Sequence, residues 1–214
     1  MKNSLERKAP SIIANSPSKW IVVDFLDLIS EMAEYKGQCF QLYDYIKLSR
    51  YFMSVRNDCK SFYLYDSDRR EQIKSAADKL AALLKKKYGG NIILNCVSLR
   101  DRYFDFDGKM KKFDVSRQQL QQWQNFISEW QEYFVKASDC YVIDIGKYFL
   151  SDENYPIGGA SICAYEELYY KSVSLYIQMI TKQKPAQKNF SALSAVTQAK
   201  LTIDPRRSAL SSGN

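Results

Sequence analysis

The stretch Cys140–Tyr170, CYVIDIGKYFLSDENYPIGGASICAYEELYY, decides how the fold is read. It opens on a short apolar run, Tyr141 to Ile145, of the length and composition of a buried strand. A loop follows, with an acid at Asp152 and paired glycines at Gly158 and Gly159. Then Glu166, Glu167, Leu168, Tyr169 and Tyr170 open a helix expected to end near Thr181. In open α/β sheets, ligands bind outside the carboxyl ends of the strands, in loops that lead into helices. This loop is therefore the expected site.

Two earlier segments repeat the pattern. Trp20–Phe25, WIVVDF, and Asn91–Val97, NIILNCV, are continuously apolar, as strands buried on both faces are. Between and after them, helical periodicity runs through Phe40–Val55, Asp68–Tyr88 and Ser116–Ala137. Asp68 with Glu71 three residues on has the form of a capping box, and Gly89 and Gly90 supply a stop. A weaker short helix is expected over Ser4–Ala14. Strands separated by long helices call for right-handed crossovers and a mostly parallel sheet covered on both faces, an α/β fold. Three strands are few, since sheets average about five or six. Either another strand exists, with Ser61–Tyr65 as the candidate, or the first strand of a larger fold is missing. The expected domain covers 1–182; 183–214 turns polar and basic and reads as a flexible tail, with a short helix over Phe190–Leu201.

Composition narrows the classes. Net charge is +7, but the excess is spread over Lys85–Lys87, Lys109–Lys112 and the tail, with no basic patch interleaved with aromatics. Nucleic acid and anionic surfaces are thus not the expected partners. Five cysteines, at 39, 59, 96, 140 and 163, form neither a zinc spacing nor a disulfide framework, which fits a reducing cytoplasm. The N-terminal residues lack the apolar run of a signal peptide, and no segment approaches a membrane span.

Histidine is absent, so serine–histidine and cysteine–histidine catalysis is excluded. No Gly-rich phosphate loop, dinucleotide fingerprint or sulfur–imidazole metal cluster occurs, and no cofactor or metal is expected. What remains is acidic. Asp24, Asp27, Asp144 and Asp152 can gather at the carboxyl edge of the sheet, to bind a divalent cation or to act as acid and base. The alternative is that they cap helices or pair with Arg100 and Arg102.

The set WIVVDFLD, NIILNCV, CYVIDIG and DENYPIGGASICAYEELYY resembles a family of bacterial proteins from capsule and surface-polysaccharide loci. That family is related to the SGNH (GDSL-type) hydrolases, flavodoxin-like three-layer α/β/α sandwiches that cleave or transfer acyl groups. The resemblance covers about residues 5–182 and is most specific in the last loop. There the family carries an acid, two residues, a histidine and a glycine, then Tyr-Glu and paired tyrosines in the closing helix. This sequence keeps Asp152, Gly158, Tyr165, Glu166, Tyr169 and Tyr170, but Tyr155 stands at the histidine position. The Gly-rich strand that delivers the family's serine is also absent. A phenol holds its proton to about pH 10 and does not relay a serine proton at neutral pH as imidazole does.

The resemblance therefore implies the fold, and a site whose chemistry has degenerated. Asp152, Tyr155 and Asp24 stand where catalysis would lie, with Asp27, Arg100, Gly158, Gly159, Tyr165 and Glu166 as ligand contacts. The expected role is binding a glycan, or a partner chain or second copy across an exposed sheet edge. An acyl-ester hydrolase or transferase using Asp152 with Asp24 or Asp27 is the alternative, and a basic interaction module ranks last.

Overall fold

The computed structural model describes residues 9–66, 68–155 and 159–182, apart from the side chain of Asp44. The expected tail, 183–214, and the helix expected inside it lie outside these residues, as does Gly158. Among the described residues the fold is mixed α/β, with three small sheets of three strands each.

The central sheet is parallel and contains the three strands anticipated from the apolar runs. These are β1 (Ile21–Val23), β5 (Ile92–Asn95) and β8 (Tyr141–Ile143), in the order β1-β5-β8. Val22 pairs with Ile93 and Leu94 with Val142, and Cys96 extends the ladder by donating to the Ile143 carbonyl. Only β5 is buried on both faces, and Ile92, Ile93 and Leu94 have no exposed surface. Ile92 and Leu94 point into a core made with Ala81, Leu84 and Tyr88 of α4 (Arg70–Tyr88) and Phe134 of α5 (Arg117–Ser138). The opposite face turns Asn95 toward Tyr169 of α6 (Glu167–Lys182), their side chains bonded at 2.9 Å. Helices therefore lie on both faces. The flanking strands differ from the two-sided burial expected of them, because Val22 is 45% and Val142 42% exposed.

The segment read as a single helix over Phe40–Val55 is a strand followed by two short helices. β2 (Glu31–Tyr35) and β3 (Gln38–Gln41) form a hairpin, and α2 (Asp44–Lys47) and α3 (Arg50–Val55) follow. Lys36 and Gly37 both have positive φ, 49° and 71°, as a two-residue primed turn requires. Lysine at the first of these positions hides the turn from sequence reading. The candidate strand near Ser61–Tyr65 exists as β4 (Lys60–Tyr63), but it pairs antiparallel with β2 and leaves the parallel sheet at three strands.

The capping box at Asp68 is also corrected. α4 starts at Arg70, Arg69 occupies the cap position and no side chain closes it. Arg69 instead bonds Glu34 of β2 at 2.7 Å and lies 4.1 Å over the Phe62 ring of β4, so tertiary contacts set the helix start. α5 behaves as expected: the Ser116 hydroxyl accepts from Gln119 N–H at 3.0 Å. α1 (Ala9–Asn15) falls on the described part of the weaker helix anticipated over Ser4–Ala14; residues 4–8 lie outside the described residues.

The third sheet holds β6 (Arg102–Phe104), β7 (Met110–Lys112) and β9 (Ser151–Asp152), in the order β7-β6-β9. The aromatic-acidic stretch read as a loop is thus the β6–β7 hairpin. The buried carboxylate of Asp105 closes it by accepting from the Lys109 and Asp107 N–H groups and pairing with Lys111 at 2.9 Å. The Lys111 ammonium, first, and these N–H donors hold Asp105 below its ordinary carboxylate value. Among the described residues no helix is long and apolar enough to cross a membrane.

Candidate functional site

Beyond its last ladder bond, β5 leads into Val97 to Arg100, a segment with no strand paired to it among the described residues. Two glutamines of α5 take over the pairing. Gln131 Oε1 accepts from Val97 N–H and Gln124 Oε1 from Leu99 N–H, both at 2.7 Å, while Gln124 Nε2 donates to the Val97 carbonyl at 3.2 Å. On the other side, Tyr165 reaches in from the loop before α6. Its hydroxyl donates to the Ser98 carbonyl at 2.6 Å and accepts from Ser98 N–H at 2.9 Å. The chain at the carboxyl end of the sheet is thereby held from both sides by side chains.

Tyr165 is the centre of an aromatic plug. Its ring lies 4.1 Å from that of Tyr169, which meets Phe149 at 5.6 Å and Tyr170 at 5.0 Å, and Tyr155 packs on Tyr170 at 5.1 Å. Burial raises the Tyr165 phenol well above its ordinary value and pushes Tyr169 up to about 12. Close approach of the Tyr165 hydroxyl also explains Gly146. A Cβ there would stand 2.9 Å from that oxygen and 3.2 Å from Ser98 Cβ.

The residues nominated for catalysis lie on different elements, each in its own local bonding. Asp152 sits in β9, in the third sheet, where its carboxylate accepts from Asn154 N–H at 2.8 Å to close a local turn. Ser151 beside it is wholly buried, its hydroxyl without a partner among the described residues and sealed from solvent. Tyr155 stands in the aromatic plug, its N–H directed to the Asp152 carbonyl at 3.5 Å. Glu166 faces Leu150, with N–H to carbonyl at 3.0 Å and carboxylate to N–H at 3.3 Å, which fixes the entry to α6. Gly159 has φ of 97° and donates to the Glu153 carbonyl at 2.8 Å.

Asp24 and Asp27 lie at the end of β1, where Asp24 accepts from Leu26 N–H at 3.1 Å and Asp27 from the Tyr43 hydroxyl at 2.6 Å. They border a hollow of about 320 Å³ shared with Met32, Cys39 and Gln41. Burial, and after it the charges of Asp24 and Asp27, raises the Cys163 thiol above its ordinary value. No group of three acidic or thiol side chains fit to hold a metal ion occurs among the described residues.

The larger opening lies on the other flank of β5, between β8 and α5. It encloses about 630 Å³, with Val97, Val135 and Val142 as its apolar part and Arg100, Lys136 and Lys147 as its cations. Arg100 is the nominated ligand contact found here. Asp144, weighed in the sequence as an edge acid, is here too, bonded to Lys147 at 2.8 Å. Gln124, Gln131 and Lys147 escaped sequence reading. An i, i+7 pair of glutamines on a helix was the available signal, but it matches any solvated helix face. No family model matches this chain, and neither does any curated protein or solved structure.

Proposed function

We propose that this chain is a saccharide-binding α/β domain without acyl-transfer activity, degenerate within the SGNH-like capsule-locus group that it resembles. The groove between β8 and α5 carries the reading. It opens at the carboxyl end of the parallel sheet, where such folds take ligands, and combines a valine-lined wall with a charged and amide-bearing rim. Apolar surface for the C–H face of a sugar, bordered by polar groups for its hydroxyls, is the composition of a small-molecule site. Against catalysis stand the absence of any histidine and the engagement of Asp152 and Asp24 each in a local turn, with Asn154 N–H and Leu26 N–H. All five cysteines are free thiols, which supports the cytoplasm as the compartment.

Saturation-transfer NMR of the full chain with bacterial oligosaccharides tests the binding. Ester turnover on acetylated sugars is measured beside it. Binding without turnover is the expected result. Turnover abolished by Asp152→Ala or Asp24→Ala would replace this reading with the hydrolase one.

One observation favours a partner chain as a second role. β1 and β8 each pair on one side only among the described residues, and each presents a half-exposed valine. Open strand edges invite pairing with another chain. Light scattering should then show a dimer; a monomer at every concentration examined removes this role and leaves the groove untouched.

A further inference from the structure

We propose that the groove between β8 and α5 takes an anionic saccharide, whose carboxylate or phosphate is held by the guanidinium of Arg100. The proposal rests on the saccharide reading above and adds the charge of the ligand. Its basis is the pairing of the arginines. Arg69 meets Glu34, Arg70 meets Glu129 and Arg102 meets Asp101, while Arg50, Arg56 and Arg117, which make no such pair among the described residues, are exposed to solvent. Arg100 is half-buried and lines the groove, yet no carboxylate lies within 4.0 Å of it among the described residues.

Its partners are two backbone carbonyls: Nε donates to Ser98 at 3.3 Å and Nη1 to Lys147 at 3.2 Å. A guanidinium has five N–H donors in a planar fork, so three keep no acceptor on the protein among the described residues. The two carboxylates best placed to take them are committed elsewhere, Asp101 to Arg102 and Asp144 to Lys147.

Drawing a cation out of water is unfavourable unless it is fully paired; burial lowers the Arg100 pKa, and Tyr165, Asp101 and Asp144 nearby offset this only in part. A bound carboxylate or phosphate supplies the counter-charge and fits the fork in bidentate fashion. Position is already fixed, because Arg100 N–H donates to the Ile162 carbonyl at 2.8 Å. The rest of the groove agrees in sign: Lys136 and Lys147 stand with Arg100 against Glu132 and Asp144, and Asp144 is neutralised by Lys147. Long-range attraction from a chain of net charge +7 acts in the same direction.

The test is a printed glycan panel probed with the full-length protein. It carries neutral, uronic-acid-bearing and phosphate-bearing saccharides, followed by calorimetry on the glycans retained. Retention of acidic glycans is expected, with about a tenfold loss in Arg100→Ala, equivalent to about 1.4 kcal/mol, and a smaller loss in Arg100→Lys. The carboxylate and phosphate arms show which anion is preferred. Val142→Trp, which fills the groove from an exposed position, should remove binding of the same glycans and guards against misfolding of the arginine variants. Equal retention of neutral and acidic glycans overturns the charge assignment while saccharide binding stands. Acidic binding unchanged in a folded Arg100→Ala also overturns it. Retention of no glycan overturns both readings.

Discussion

The two flanks of the tyrosine-clamped segment Val97–Arg100 use the same end of the same sheet in opposite ways. On the α6 side, aromatic rings fill the space. Tyr155, Tyr165, Tyr169 and Tyr170 pack on one another and on Phe149, and the Tyr165 hydroxyl is consumed by Ser98. On the α5 side, glutamines hold the same backbone at arm's length and leave a groove of about 630 Å³ beside it. A ring displaces solvent over its whole face, whereas an amide reaches a backbone group and leaves room around its stem. The lesson is that side chains holding the same backbone from two sides can fill the space on one flank and leave it open on the other.

If this contrast is right, the two flanks differ most in stability. Tyr165→Ala removes a buried ring and should cost about 3–5 kcal/mol. Val142→Ala, across the sheet at 42% exposure, should cost about 1 kcal/mol or less. Chemical denaturation of both variants checks this, and equal costs would break the comparison. Gly146→Ala comes next, at about 1–3 kcal/mol, because the added methyl meets the Tyr165 oxygen. Tyr165→Phe alone should cost a similar amount, about 1–3 kcal/mol, by leaving both polar groups of Ser98 unpaired. Combined with Gly146→Ala it should cost less than the two separately, since the phenylalanine lacks the oxygen that clashes. An additive double-mutant cycle would show that Gly146 is required for some other contact.

The phenols extend the contrast to pH. Tyr165 and Tyr169 are both raised by burial, so the folded chain keeps protons that the unfolded chain releases near pH 10. Their contribution is fully present below about pH 10 and is lost as pH rises toward the folded values. Stability should accordingly fall between about pH 10 and 12, and Tyr169→Phe should flatten that fall. The measurement is the denaturation midpoint as a function of pH, read against the variant. An unchanged slope would place Tyr169 outside the buried plug.

Much of this arrangement was legible in the residues, for reasons that also explain the rest. The three strands of the parallel sheet announced themselves as short apolar runs, although only the central one, β5, is buried on both faces. The long helices did so because α5, for instance, buries Phe126, Ile127, Trp130 and Phe134 on one face. The hairpin β2–β3 was missed because EMAEY has little alternation and its turn begins with a lysine at φ of 49°. The start of α4 was misplaced because Arg69 answers to Glu34 and Phe62, which are distant in sequence. For the site, Arg100 was named, but the groove it lines was not. Its walls come from α5 and β8, and neither carries a catalytic motif. Asp152 and Tyr155 were singled out together by the family resemblance, and a resemblance does not reveal that β9 draws Asp152 into another sheet.

The smallest stability effect in this comparison belongs to Asp144. Its bond to Lys147 at 2.8 Å is an exposed pair, with side chains 44% and 51% accessible. Such pairs contribute about 0–1 kcal/mol, reduced further by salt. Asp144→Asn should therefore leave the denaturation midpoint nearly where it was. Its effect on binding should have the opposite sign to that of Arg100→Ala. Removing the carboxylate frees the Lys147 ammonium and deletes a negative charge from the groove, so an acidic saccharide should bind a few-fold more tightly, most clearly at low ionic strength. Calorimetry at two salt concentrations measures this. Weaker binding in Asp144→Asn would mean that the carboxylate accepts from the sugar's hydroxyls and belongs to the site as a contact. Tighter binding that disappears at high salt would leave Arg100 as the anchor and Asp144 as the charge that tempers it.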